Sequence, residues 1–241
     1  MKRLQSDPGA IGTGLGLRLK LHKKRVQYRL RREAKRLLSS GEQVGLVIGS
    51  GPSQHLVGPG GSHFQGWLIT DVGILNALRR TDWEAIFGPG QICRIFAEHV
   101  IEHWSEDEFR EFLRIAAHFL APTGNIRIAV PDGFHPDRAY IDAVKPGGTG
   151  PGADDHKVLY DYQTLESILS EANWSYDLLE YFDERGIFHG KAWDTANGFV
   201  ERSERHDPRN EDHPLSFTSL IVDLAPMTKF HAGSALTSRS R

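Results

Sequence analysis

The chain has 241 residues, 39% hydrophobic and 25% charged, with a formal net charge of −2 at neutral pH. That length buries one α/β core plus appendages, and several independent domains would be crowded. A single cysteine, Cys93 inside an apolar run, excludes a disulfide framework and a cysteine metal site. It reads as a buried structural thiol in a reducing, cytoplasmic setting. No stretch reaches the roughly 18 apolar residues of a transmembrane segment, and the N-terminus lacks the pattern of a secretory signal.

The near-neutral total hides an asymmetry. Residues 1–40 carry twelve Lys and Arg against Asp7 and Glu33, a net +10 set against −12 for the remainder. From Leu19 to Leu38 the composition predicts a helix with Val26, Leu30, Ala34 and Leu37 on a thin apolar stripe. Such a basic extension either packs lightly on the domain or tethers it to an anionic surface, such as phospholipid headgroups, or to a partner. No aromatic-and-basic pattern continues into the acidic body, so no specific nucleic acid is predicted.

Val44 to Ile48 is an apolar run that ends in Gly49-Ser50-Gly51-Pro52, and Asp71 closes a second apolar run twenty residues after Gly51. A buried strand stopping at a glycine turn lets backbone approach a ligand, and an acid at the next strand tip can accept both ribose hydroxyls. Further strands are expected at 92–97, 125–130, about 177–183 and 216–224, with 44–49 and 67–71 before them. Their alternation with helices predicts an α/β Rossmann-like doubly wound sheet, mainly parallel.

The clearest helix is 105–121. Ser105 to Glu108 forms a capping box, Trp104 with Phe109 a hydrophobic staple, and Phe109, Phe112, Leu113, Ala116 and Leu120 a buried stripe that Pro122-Thr123-Gly124 ends. A second helix starts near Asp161, buries Leu165, Ile168, Leu169 and Ala172, and reaches Asn173 as a left-handed cap. Residues 145–155, rich in Gly and Pro, read equally as a substrate lid or a solvated connection. The His-, Asp- and Arg-dense stretch 189–214 reads as an insertion that caps the pocket.

Taken in order, Val44–Pro52, Gly66–Asp71, Ile95–His103 and Ile126–Asp132 resemble the motifs of class I S-adenosylmethionine-dependent methyltransferases, over roughly residues 44–225. The resemblance is closest to a bacterial branch with a GW-x-x-x-D second strand and an AEHVxEH fourth strand. It implies about seven strands with an antiparallel last strand, and S-adenosylmethionine across the carboxyl ends of the first strands. Gly49, Ser50 and Gly51 would then face the methionine part, Asp71 the ribose and Asp82 the adenine amine. Ala97 and Glu98 would line the floor beside the sulfonium. Gln54 departs from the family's third glycine, and only 15 residues separate Gly51 from Trp67, so the first crossover helix must be short.

His99 is the candidate general base, since the residue after the fourth-strand motif faces the transferred methyl and imidazole titrates near neutrality. Asp132, His156 and Tyr160 are secondary pocket candidates. His99-Val100-Ile101-Glu102-His103 also spells the H-x-x-E-H of zinc hydrolases, which needs a helix; the capping box at Ser105 instead places it in a strand-to-helix turn. Within the methyltransferase reading His99, Glu102 and His103 fall where some relatives bind a metal. The favoured reading assigns no metal and has Glu102 and His103 brace the turn through backbone hydrogen bonds.

The resulting expectation is a basic extension over 1–40, a methyltransferase-like domain over 41–226 with insertions at about 145–156 and 189–214, and a flexible tail over 227–241. The expected activity is O-methylation of a small molecule or saccharide. A non-catalytic donor-binding partner protein and an NAD-dependent enzyme are the rival readings, the second weakened by Gln54.

Overall fold

The computed structural model describes residues 9–49, 66–212 and 215–227. A long helix α1 (Gly9–Ser39) precedes β1 (Gly45–Ile48), β2 (Trp67–Ile69), α2 (Arg80–Glu84) and β3 (Ile92–Glu98). After a 3-10 turn at Ile101–His103 come α3 (Glu106–Phe119), β4 (Leu120–Pro131), α4 (Arg138–Val144), α5 (Tyr162–Glu171), β5 (Trp174–Phe182), β6 (Phe188–Gly190) and β7 (Ser219–Pro226). The tail beyond 227 and the glycine turn after Gly49 lie outside the described residues. No described helix is long and apolar enough to cross a membrane.

One seven-stranded sheet carries the fold, in the order β2-β1-β3-β4-β7-β5-β6. Strands β2, β1, β3 and β4 run parallel; β7 pairs antiparallel with β4 and β5, and β6 pairs antiparallel with β5. Five strands therefore point one way and two the other. A final antiparallel strand inserted before the edge gives the Rossmann-like arrangement of class I methyltransferases. All six expected strands are present. The seventh, β6, falls at the start of the stretch expected to be an insertion.

Side chains alternate between the faces as strand geometry requires. Leu46, Ile48, Ile95, Ile126, Ile128, Val130, Leu220, Val222 and Leu224 join the larger core, with Trp83, Phe112, Ile168 and Leu169 from the helices. Val47, Phe96, Ala129 and Ile221 form the opposite face, covered among the described residues by Val200, with Trp193 packed against it.

Helix α1 is longer than the expected 19–38, and its C-terminal part packs on the domain. Ala34 and Leu37 are buried in the larger core, Leu30 and Leu38 pack on it, and Gln27 Nε2 donates to the Ile74 carbonyl at 2.7 Å. Lys20, Lys24, Arg25, Arg29, Arg31, Arg32, Lys35 and Arg36 remain exposed.

The α3 capping box forms as expected: the Glu108 N–H donates to Ser105 Oγ and the Ser105 N–H to Glu108 Oε2. The Trp104 ring meets Phe112 at 5.3 Å, where Phe109 was the expected partner. Pro122-Thr123-Gly124 does not end the helix; β4 starts at Leu120 and runs through all three. Helix α5 begins at Asp161, whose side chain accepts from the Thr164 N–H, and Asn173 follows at φ +58°. Cys93 is only partly buried.

Candidate functional site

The site begins at the carboxyl edge of the parallel strands. Val47 pairs with Ile69 and Ile48 with Ala97, so Gly49 leaves β1 between Thr70-Asp71 on one side and Glu98-His99 on the other. Thr70 fastens β2 there, since its N–H and its hydroxyl both donate to the Val47 carbonyl. Gly49 has φ +68°, and a Cβ on it would lie 2.6 Å from Val100 Cγ2. Left-handed backbone and this close approach together require glycine.

Asp71 starts a turn: its carbonyl accepts from Ile74 and Leu75, and its Oδ1 from the Val72 N–H. The Oδ2 atom has no hydrogen bond among the described residues. Ser50 and Gly51 lie outside the described residues. Asp82 is buried, and its Oδ2 takes both Lys23 Nζ at 2.7 Å and the Asn76 N–H at 2.9 Å. It thereby joins α1 to the turn after β2, a structural task the sequence reading did not foresee. Ala97 is fully buried. The Glu98 Oε1 accepts from the Arg202 N–H at 2.9 Å, which ties the end of β3 to the segment between β6 and β7. Burial pushes this carboxyl upward, against the pull of His99 and of the Arg202 and Glu201 N–H groups.

His99 follows in left-handed backbone, φ +52°, with its N–H on the Ala129 carbonyl. Such a conformation in a non-glycine residue persists only when the surroundings impose it, as they often do at functional sites. Its Nδ1 lies 3.1 Å from Glu102 Oε1 and its Nε2 3.2 Å from Ser219 Oγ. The imidazole is held between a carboxylate and a hydroxyl at the wall of a cavity of about 630 Å³.

Glu102, His103, Tyr140, His156 and Arg202 also line that cavity. Residues 150–153 complete one side. Their loop is bonded back onto α4, with the Thr149 and Gly150 N–H groups on the Asp142 and Ala143 carbonyls, and Ala153 is buried. Within the 189–214 stretch, Arg209 reaches the cavity, pairs with Asp207 through two contacts and lies over the Phe217 ring at 3.8 Å.

Of the secondary candidates only His156 enters the cavity. Asp132 is a brace: its two oxygens accept from the Phe134 and Phe182 N–H groups at 2.9 and 2.7 Å. Burial, and behind it the Asp161 charge, raises its pKa to about 6. Tyr160 is a core residue packed edge-on against Phe109, and its hydroxyl has no partner among the described residues.

Glu102 and His103 brace the turn through their main-chain groups rather than their side chains. The Glu102 carboxylate, 1% exposed, takes no backbone donor and has His99 Nδ1 at 3.1 Å, while His103 Nδ1 lies 2.7 Å from Asp155 Oδ1. The Glu102 carbonyl accepts from Lys157 and Val158, and the His103 N–H donates to the Val100 carbonyl. The H-x-x-E-H stretch is a 3-10 turn as expected, so His99 and His103 do not sit one α-helical turn apart.

Tyr140, Arg202, Arg209 and Ser219 escaped the sequence reading as individual residues. Each reaches the cavity from an element distant in sequence, and only the basic character of 189–214 pointed toward two of them.

No protein-family model and no curated protein matches the chain. Solved structures do. A methyltransferase from Archaeoglobus fulgidus is 16% identical over 84% of this chain and 92% of its own, with a TM-score of 0.41. The YcgJ protein from Bacillus subtilis is 12% identical over 82% and 99%, at 0.40. A phosphoethanolamine N-methyltransferase of Haemonchus contortus, in complex with phosphomonomethylethanolamine and S-adenosylhomocysteine, is 16% identical over 57% of this chain, at 0.37. This chain spans about a third of that enzyme's length, 34%. The fold assignment rests on strand order and direction, to which likeness at this level adds nothing.

Proposed function

We propose that this chain is an S-adenosylmethionine-dependent methyltransferase acting on the oxygen of a small hydroxylated molecule or a saccharide. The observation that carries the reading is the convergence of Gly49, Asp71 and His99 at the ends of three adjacent strands. The glycine admits the donor's methionine moiety, a role the family resemblance extends to Ser50 and Gly51. The Asp71 carboxylate accepts from the ribose hydroxyls. Ala97 leaves room beneath the sulfonium. Asp82 offers Oδ1 to the adenine amine while Oδ2 keeps Lys23, and Glu98 borders the floor from its tie to Arg202.

Methyl transfer is an in-line displacement, so alignment and removal of one proton are the protein's tasks. Bound S-adenosylmethionine would supply an electrophilic methyl carbon to the acceptor oxygen, with its sulfur leaving as the neutral thioether that keeps the bonding pair. His99 takes the hydroxyl proton on Nε2, where the acceptor replaces the Ser219 contact, and Glu102 at Nδ1 steadies the imidazolium.

Calorimetry with S-adenosylmethionine and S-adenosylhomocysteine tests the donor half; a folded sample with affinity for neither removes it. His99→Ala should keep affinity for S-adenosylhomocysteine and lose labelled methyl transfer to mixtures of hydroxylated acceptors. Full transfer by that variant rejects the base.

We further propose that helix α1 holds the enzyme at an anionic surface, a reading supported by its exposed cations.

A further inference from the structure

The strongest unexplained feature is a carboxylate. Glu102 lies at 1% exposure with neither oxygen in a hydrogen bond among the described residues, and its close neighbour is a titratable ring, His99, with Nδ1 3.1 Å from Oε1. An ionised carboxylate in that state is costly unless a cation or a proton completes it. Besides His99, two further imidazoles stand near it: His156 Nε2 lies 4.0 Å from Glu102 Oε1, and the His103 ring, its Nδ1 2.7 Å from the exposed Asp155 carboxylate, meets the His156 ring edge to face at 4.7 Å. One ligand atom from each of Glu102, His103 and His156 falls within 4.8 Å of the others.

We infer that Glu102, His103 and His156 form a binding site for a divalent transition-metal ion. The tautomer of His156 supports this. Its Nδ1 lies 2.7 Å from the Val144 carbonyl, which can only accept, so the ring proton sits on Nδ1 and the Nε2 lone pair faces Glu102. A metal-ligating histidine is oriented in this way by an outer hydrogen bond. Ligands at about 2.0–2.2 Å from a shared ion lie roughly 3–3.5 Å apart, so side-chain shifts of about an ångström close the site.

Two imidazoles and one carboxylate suit zinc, cobalt, iron or manganese better than magnesium or calcium, which prefer oxygen donors. Three protein ligands leave coordination positions free, and the same three residues line the cavity beside His99. An acceptor oxygen in that cavity would meet the ion directly, where a bound cation lowers the pKa of a coordinated hydroxyl. That role rests on the methyl-transfer reading; the site itself does not.

The test uses the full chain, stripped with chelator and titrated with Co²⁺, Zn²⁺ and Mg²⁺ alone. One equivalent of Co²⁺ should bind with a visible d–d spectrum, and Zn²⁺ should raise the unfolding temperature. Glu102→Gln and His156→Gln should each weaken Co²⁺ binding at least tenfold and abolish the thermal shift, while His189→Gln, at an exposed position outside the cluster, should change neither. Circular dichroism of the metal-free variants establishes that they fold. Binding of Co²⁺ no tighter in the wild type than in the two glutamine variants would overturn the site, as would equal affinity for Mg²⁺. Donor calorimetry is read separately, so loss of the metal site and loss of the methyl-transfer reading are distinguishable.

Discussion

Gly49 and Val100 exclude a side chain between them: a Cβ on Gly49 would come within 2.6 Å of one Val100 methyl and 3.1 Å of the other. The turn that closes β1 is thus shaped by a residue two positions beyond β3. Gly49→Ala should cost about 1–3 kcal/mol of stability through overpacking and a further fraction through its positive φ. Val100→Ala in the same chain should recover the packing part and leave the backbone part. Urea unfolding of the two single variants and the double variant measures this coupling, and additive losses would count against it.

Arg127 is the largest buried charge. Its Nε and Nη2 donate to the two oxygens of Asp223 at 2.7 and 2.8 Å across the β4–β7 pair. Its Nη1 donates to the Asp194 and Gly198 carbonyls, and the guanidinium lies over Trp193 at 4.7 Å. Removing it strands a partly buried carboxylate and two carbonyls. Arg127→Met should therefore cost about 3–5 kcal/mol, and limited proteolysis should cut first within 193–198. Cutting elsewhere, at unchanged stability, would contradict this anchoring.

Asp132 makes stability depend on pH in an unusual direction for a carboxylate. Its pKa near 6 exceeds the ordinary 3.8 of the unfolded chain, so between those values the folded state holds the extra proton. This group's contribution improves as pH falls from about 6 to about 4 and is lost as pH rises through 6. The gap should approach 3 kcal/mol at most, at about 1.4 kcal/mol per unit. The wild type should gain on Asp132→Asn across that interval in denaturant titrations at matched salt. A constant difference between the two proteins from pH 7 to 4 would refute the assignment.

The exposed cations of α1 call for a membrane-mimetic test. Arg25→Glu, Arg29→Glu and Arg32→Glu together should abolish co-sedimentation with vesicles rich in phosphatidylglycerol at low salt. They should leave the unfolding midpoint within a few degrees, because the docked face uses Ala34 and Leu37. Binding by the wild type should also fade as ionic strength rises. Retained binding by the triple variant would remove the anionic-surface reading.

The elements of this chain were legible locally. Short apolar runs between turns announced six strands, the Ser105–Glu108 box announced α3, and Asp161 and Asn173 bracketed α5, because apolar runs and short-range capping hydrogen bonds are written within a few residues. The short edge strand β6 was missed, since three residues carry too little periodicity. The helix-to-strand switch at Leu120 was misplaced because pairing with Ile92 overrides the turn propensity of Pro122-Thr123-Gly124.

The sequence by itself determined the strand tips and the chemical types gathered there: the glycine that ends β1, the acid after β2 and the histidine after β3. Only the tertiary structure decided that His156, more than fifty residues from His103 and Glu102, completes their cluster. It alone showed that Asp82 answers Lys23, and that Glu102 is buried beside the His99 and His156 rings. Those facts depend on which loops close over the sheet edge, and burial and partnering are properties of three-dimensional neighbours that no local spacing encodes.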